Sequence, residues 1–118
     1  MSRDPVLNVS FFRTDVGRAP VQQWLKNLDD ADRKAIGEDI RLVQFGWPMG
    51  MPLVRKMEEH LWEIRSRLTK RRIARILFTV KDSKMILLHG FIKKSQRTPQ
   101  RDLNLARNRS KLWQSEGS

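Results

Sequence analysis

Cysteine is absent from this chain of 118 residues. Without a thiol, a disulfide framework, a thiolate metal site and a cysteine nucleophile are all excluded. Long apolar runs are missing too. Residues 85–88 form one of the longest, far below the roughly 20 residues that a membrane helix needs. Residues 1–10 hold no apolar region of the kind a secretory leader uses. A soluble, cytoplasmic protein with no membrane association is therefore expected. The two histidines, His60 and His89, are widely separated and with no cysteine to join them do not make a metal site. No phosphate-cradling glycine loop and no serine-hydrolase elbow occurs. Glu58 and Glu59 are neighbours in sequence, unlike a spaced glycosidase pair. No metal or cofactor is expected, and the length suits one domain over residues 1–118 with one core.

Positive charge is what the chain has in excess. The formal net charge is +11, and its distribution says more than its size. Residues 1–54 carry 7 Lys/Arg and 7 Asp/Glu, whereas residues 55–111 carry 17 Lys/Arg and 5 Asp/Glu. By this count the second half alone builds the positive field. A one-sided field attracts polyanions over distances near the Debye length, and nucleic acid is the commonest polyanion of a cytosol. The competing reading is a generally basic, solvated surface.

Residues 6–12 read as an opening strand, with Val9, Phe11 and Phe12. Pro20 suits a first helical position, and Val21, Trp24, Leu25 and Leu28 follow at i, i+3, i+4, i+7. Asp29, Asp30 and Asp32 mark the start of a second helix, whose stripe is Ile36, Ile40, Val43 and Trp47 and which Gly46 and Pro48 stop. Together they make an αα-hairpin. From Leu61 the period changes to 2. Residues 61–68 alternate Trp62, Ile64 and Leu68 with Glu63, Arg65 and Arg67, and residues 72–80 repeat the pattern around Arg75. Residues 85–92 are apolar on both faces, as an interior strand would be. Three strands joined by short turns imply an antiparallel meander. A last helix follows, with Thr98 as N-cap, Pro99 as first residue, and Leu103, Ala106, Arg109 and Trp113 near one face. The fold class is α+β.

The alternation gathers cations. If Trp62, Ile64, Ile76 and Phe78 pack on the hairpin, Arg65, Arg67 and Arg75 emerge from the other sheet face, with Lys93, Lys94 and Arg97 at its border. Like charges so placed repel unless an anion such as phosphate sits among them; a solvated face tempered by Glu63 is the plainer alternative. RNA carries its own nucleophile, the 2′-hydroxyl, so cleaving it needs a base, an acid and charge stabilisation at phosphorus. Arginine suits the last task and is a poor base. Lys56, Lys93 and Lys94 are candidate proton carriers. His89 has a side chain suited to acid–base work, but simple alternation places it with Leu87 and Phe91, as a hydrogen-bonded core histidine.

The segment LWEIRSRL, followed by RRIARILFTVKDSKMILLHGFIKKSQRTPQRDLNLARNR, resembles the HigB-like, phage-derived branch of the RelE/ParE toxins. Upstream, GRAPVQQWLKNLDDADR and GMPLVRKMEEHLWEIR extend the likeness over nearly the whole chain. The resemblance implies a RelE-like fold and the toxin of a type II toxin–antitoxin system, a ribosome-dependent mRNA endonuclease that needs no metal. Its partners would be mRNA on the ribosome and a helix-turn-helix antitoxin. By position, the resemblance assigns catalysis to Arg65, Arg75 and Lys93, with Lys94 beside them and Lys56 at a basic position ahead of the second strand. Arg67 and Arg97 join Lys56 and Lys94 as expected RNA contacts. Many RelE relatives use a C-terminal tyrosine at the substrate; this chain has none, so the general acid and base stay unassigned. Two alternatives fit the same residues: a ParE-like gyrase inhibitor, which shares the fold, and a nucleic-acid-binding protein without activity.

Overall fold

Proline at a first helical position, where its missing N–H costs nothing, starts the first helix. In the computed structural model, which describes residues 4–116, α1 spans Pro20–Lys26 and Ala19 at its N-cap makes no side-chain capping bond. Of residues 1–10, in which no leader-like apolar region is read, residues 1–3 lie outside the described residues. Helix α2 runs Asp30–Gly46 and buries Ile36, Ile40 and Val43, so the hairpin forms where the spacing predicts it. Asp32 does more than complement the helix dipole. Arg72 grips its carboxylate with two bonds of 2.7 and 2.9 Å and thereby holds it below the ordinary carboxylate range.

Five strands form one mixed sheet: β1 Asn8–Phe11, β2 Val54–Glu58, β3 Leu61–Arg67, β4 Ile73–Lys81 and β5 Lys84–Lys93, in the order β1-β5-β4-β3-β2. Strand β1 lies parallel to β5 and the other pairs are antiparallel. The meander thus has four strands where the alternation predicts three. Segment VRKME shows no strand pattern in the sequence because an exposed edge strand needs few apolar residues, and of its five residues Val54 alone is fully buried. Strand β5 is interior, as its two-sided apolarity requires.

The sheet has an apolar layer on each side. Toward the hairpin, Ile64, Ile76, Phe78 and Leu87 meet Ile36, Ile40 and Val43, and the rings of Trp47, Trp62 and Phe78 pack with centroids 5.1–6.0 Å apart. On the other side, Leu61, Leu77, Ile86 and Leu88 meet Ala106, Leu103 and Trp113 of α3, Gln100–Glu116. Arg109, which spacing puts on this same helix face, donates to the Leu88 carbonyl at 2.8 Å. The chain is α+β, with a C-terminal helix as expected. The helix starts one residue after the predicted Pro99, and the Thr98 hydroxyl, instead of being free to cap it, donates to Glu63.

One irregularity changes which residues share a face. Leu77 pairs with His89 and Phe78 with Leu87, so Leu88 is an extra residue and β5 is bulged there. An extra residue inverts the alternation downstream. His89 therefore leaves the face of Leu87, where strict alternation predicts it, and turns toward α3.

Gly90 follows directly. A Cβ at this position would come within 2.4 Å of the Trp24 ring of α1. Gly90→Ala should thus cost about 1–3 kcal/mol by overpacking, and shortening Trp24 to Leu in the same chain should restore part of the loss. Urea denaturation of the unaltered protein and the two variants measures this; an unaltered midpoint for Gly90→Ala would show that the ring does not press on the strand.

Candidate active site

Beyond the bulge, β2 to β5 align their α3-facing residues in rows. Arg55, Glu63, Leu77 and His89 form one; Arg65, Arg75 and Phe91 the next; Arg67, Ile73 and Lys93 the last. Of the residues expected from sequence, Arg65, Arg67, Arg75 and Lys93 are brought together here. Exposed Lys94 and Arg97 follow in the β5–α3 connection. Lys56 is elsewhere. It lies inside β2, paired with Trp62, and so faces the hairpin side, where its ammonium is 3.6 Å from Glu59. Its neighbour Arg55 takes the place on the basic face, which the sequence does not reveal because β2 carries no clear strand pattern.

Arg75 departs from expectation in a second way. Alternation makes it an exposed cation, yet its side chain is 0% exposed. The cause is the connection at 95–98, which folds back across the rows. Arg75 Nη2 donates to the Ser95 carbonyl, Arg65 Nη2 donates to the Gln96 carbonyl and side-chain oxygen at 3.2 and 3.0 Å, and Thr98 donates to Glu63. Segment 95–98 is a strap over the arginines.

Glu63 is the counter-charge beneath it. Its carboxylate is 0% exposed, and Oε1 lies 4.0 Å from the Nε atoms of both Arg65 and Arg75. Glu63 Oε1 and the Nε and Nη1 atoms of Arg75 are buried without hydrogen-bond partners. Burial lowers the Arg75 pKa; Glu63 opposes that shift, and the nearby charges of Arg65 and Arg55 add to it. One carboxylate thus serves two arginines, and the cluster remains positive.

On the β5 side, His89 Nε2 is 2.7 Å from Asp102 Oδ1. A carboxylate only accepts, so the shared proton sits on Nε2 and a neutral ring keeps Nδ1 as its basic atom. The imidazole stacks on Phe91 at 5.5 Å. The other Asp102 oxygen is buried with no hydrogen bond and lies 3.9 Å from Lys93 Nζ. The Arg75 guanidinium and the Lys93 ammonium each lie 5.9 Å from the Phe91 ring centroid. Asp102 was not legible as a site residue, because α3 alone does not show what its first turn meets. Beside the strap a cavity of 190 Å³ opens between Arg65, Arg67, Ile73, Gln96, Met51 and Pro52. Among the described residues no group of three His, Asp or Glu is placed to hold a metal ion. The arrangement offers guanidiniums for phosphate oxygens, a flat ring for a base, and two groups, Lys93 and His89, that can carry protons.

Residues 23–111 match the family described as phage-derived protein Gp49-like (DUF891). No curated protein matches the chain.

The burial of Arg75 and Glu63 has a measurable consequence. Removing one member of a buried ion pair leaves the other uncompensated, at a cost of about 3–5 kcal/mol. Arg75→Met should lose stability on that scale, contrary to the neutral outcome expected of an exposed strand arginine, and Glu63→Gln added to it should recover much of the loss. Chemical denaturation of the double-mutant cycle reads the coupling; strictly additive losses would mean that the two groups do not compensate each other.

Proposed function

We propose, from the premise that the chain belongs to the Gp49-like, phage-derived family of RelE-like toxin proteins, that it is a HigB-like mRNA endonuclease of a type II toxin–antitoxin system, acting on the ribosome in the cytoplasm as a single domain. The observation that carries this reading is the row of Arg65 and Arg75 beside Phe91, with only one carboxylate for two guanidiniums. Donors that now reach the oxygens of Ser95 and Gln96 are of the kind that bind phosphate oxygens. In this proposal the phosphodiester displaces the strap and takes those donors.

The chemistry then needs no group outside the cluster. The substrate's 2′-hydroxyl attacks phosphorus, its proton passes to a base, and an acid protonates the 5′-oxygen that leaves. Arg65 and Arg75 stabilise the charge on the equatorial oxygens. Lys93 and His89 are the proton carriers, with Asp102 orienting His89. Phe91 offers a face for a neighbouring base. Arg67, Lys94 and Arg97 hold flanking phosphates, and Lys56, on the opposite sheet side, serves a contact away from the scissile bond. The protein's partners in this reading are ribosome-bound mRNA and an antitoxin with a helix-turn-helix, encoded beside it, whose acidic or apolar residues suit the positive surface.

The burial of Arg75 favours one second reading, a protein that binds nucleic acid without cutting it. Programmed ribosomes carrying a translated message separate the two. Arg65→Gln should lower cleavage by roughly 100-fold, the scale for losing one charge-stabilising donor, with some loss of stability because buried Glu63 then keeps Arg75 as its one close cation, so its cleavage is read where circular dichroism shows it folded. Lys93→Gln, at a more exposed side chain, should lower cleavage as well and melt close to the unaltered protein. Binding with no new 5′ ends in the presence of ribosomes would replace cleavage with the second reading.

A further inference from the structure

The first half of the chain is neutral by count, yet the fold separates its charges. Asp29, Asp30, Asp32, Glu38 and Asp39, five of its seven acids, lie on α2 or at its N-cap. Arg13, Arg18 and Lys26 instead come together around the β1–α1 connection and meet Arg109 of α3. The four line a groove of 740 Å³ with Thr14 and Gln22, and no acidic residue lines it.

Several features mark this groove as built. The connection is fastened by its own bonds: Thr14 N–H to Arg18 O at 2.8 Å, Gly17 N–H to Thr14 O at 2.9 Å and Arg18 N–H to the Thr14 hydroxyl at 3.1 Å. The Arg13, Arg18 and Lys26 side chains are exposed and none forms an ion pair with a described carboxylate, whereas Arg33, Arg72 and Arg107 all have one. Arg109 is half-buried over the Phe12 ring, at 5.6 Å, with a backbone carbonyl and no carboxylate as its partner. Burial lowers its pKa, the direction expected of a cation that lacks an anion. Leu88, whose carbonyl Arg109 holds, directly precedes His89, so the groove opens next to the β5 side of the basic face.

We propose that this groove is a second nucleic-acid site, which takes the phosphate backbone of single-stranded RNA as it leaves the sheet face. Phosphates fit because the lining is cationic or polar apart from the small residues Gly17, Ala19 and Pro20, and offers no large apolar anchor for a peptide. Apolar side chains collect instead in the adjoining groove, at Phe12, Leu105 and Leu112. The site goes beyond the cleavage proposal and rests on it only for placing RNA on the sheet face, since backbone binding in the groove needs no chemistry.

A 20-nucleotide RNA with 2′-O-methyl groups cannot be cut by 2′-hydroxyl attack, which separates this test from catalysis. Its binding to the full chain is followed by fluorescence anisotropy across a salt series. For single strands the slope of log K against log salt changes by about 0.7 per neutralised phosphate. Combining Arg13→Gln, Arg18→Gln and Lys26→Gln should make the slope shallower by about 2 and weaken binding at low salt at least 10-fold, with circular dichroism unchanged. Should the triple variant misfold, Arg18→Gln and Lys26→Gln taken singly should each remove about 0.7 from the slope. An unaltered slope and affinity in folded variants would overturn the proposal. So would loss of binding to a poly-glutamate peptide with RNA binding intact, which would assign the groove to an acidic protein.

Discussion

Glu63 is the residue on which the functional side of this fold depends. A carboxylate with no exposure is tolerable only if cations and donors surround it. Here Arg65 and Arg75 stand on the same sheet face and Thr98 reaches down from the end of the connection that leads into α3. That single requirement explains why the chain after β5 doubles back over the sheet and why Thr98 faces inward. It also fixes where α3 lands, since Asp102 in its first turn then meets His89 and Lys93.

The same arrangement links stability with function. Arg55, Arg65, Arg67 and Arg75 are concentrated on one sheet face, which is electrostatically unfavourable, and one buried acid offsets only part of that repulsion. Oxygens of 95 and 96 satisfy some of the remaining donors, whereas Arg75 Nε and Nη1 have none. A phosphate with several acceptor oxygens would satisfy more of them than the strap does. In the proposed function the strap therefore competes with the phosphodiester for the same atoms. Segment 95–98 covers those donors in the structure, and in that proposal RNA uncovers them. The helix α3 is held separately, by the Arg107–Glu58 pair at 2.7 Å and by its apolar stripe, so the strap can move without detaching the helix.

Most of the fold was legible because periodicity reports local structure well. The hairpin, the three central strands and the last helix follow from spacing, Pro20 and the shift to alternation. Strand β2 was not legible, since VRKME carries too little apolar pattern to distinguish an edge strand from a loop. The bulge at Leu88 was not legible either. It depends on how β4 and β5 pair, and it moved His89 from the core to the site. For the site, alternation named Arg65, Arg67 and Arg75 as sharing a face, which they do, but could not show that a later segment buries Arg75. Lys56 faces the hairpin and Arg55 takes the basic face because β2 pairs Arg55 with Glu63 and Lys56 with Trp62, a pairing that sequence alone does not show. The neutral count of the first half hid Arg13, Arg18 and Lys26 because counting charges along a chain does not show which ones meet.

In the proposed function phosphate takes the guanidinium donors now covered by segment 95–98. Arginine side-chain N–H resonances, observed by 15N NMR while 2′-O-methyl RNA is added, test it at the atoms concerned. Arg65 and Arg75 should shift together with the stoichiometry of binding, although Arg75 is buried in the free protein. Shifts confined to exposed arginines such as Arg67 and Arg97, with Arg75 unmoved at saturating RNA, would contradict the account and leave Arg75 a structural residue alone.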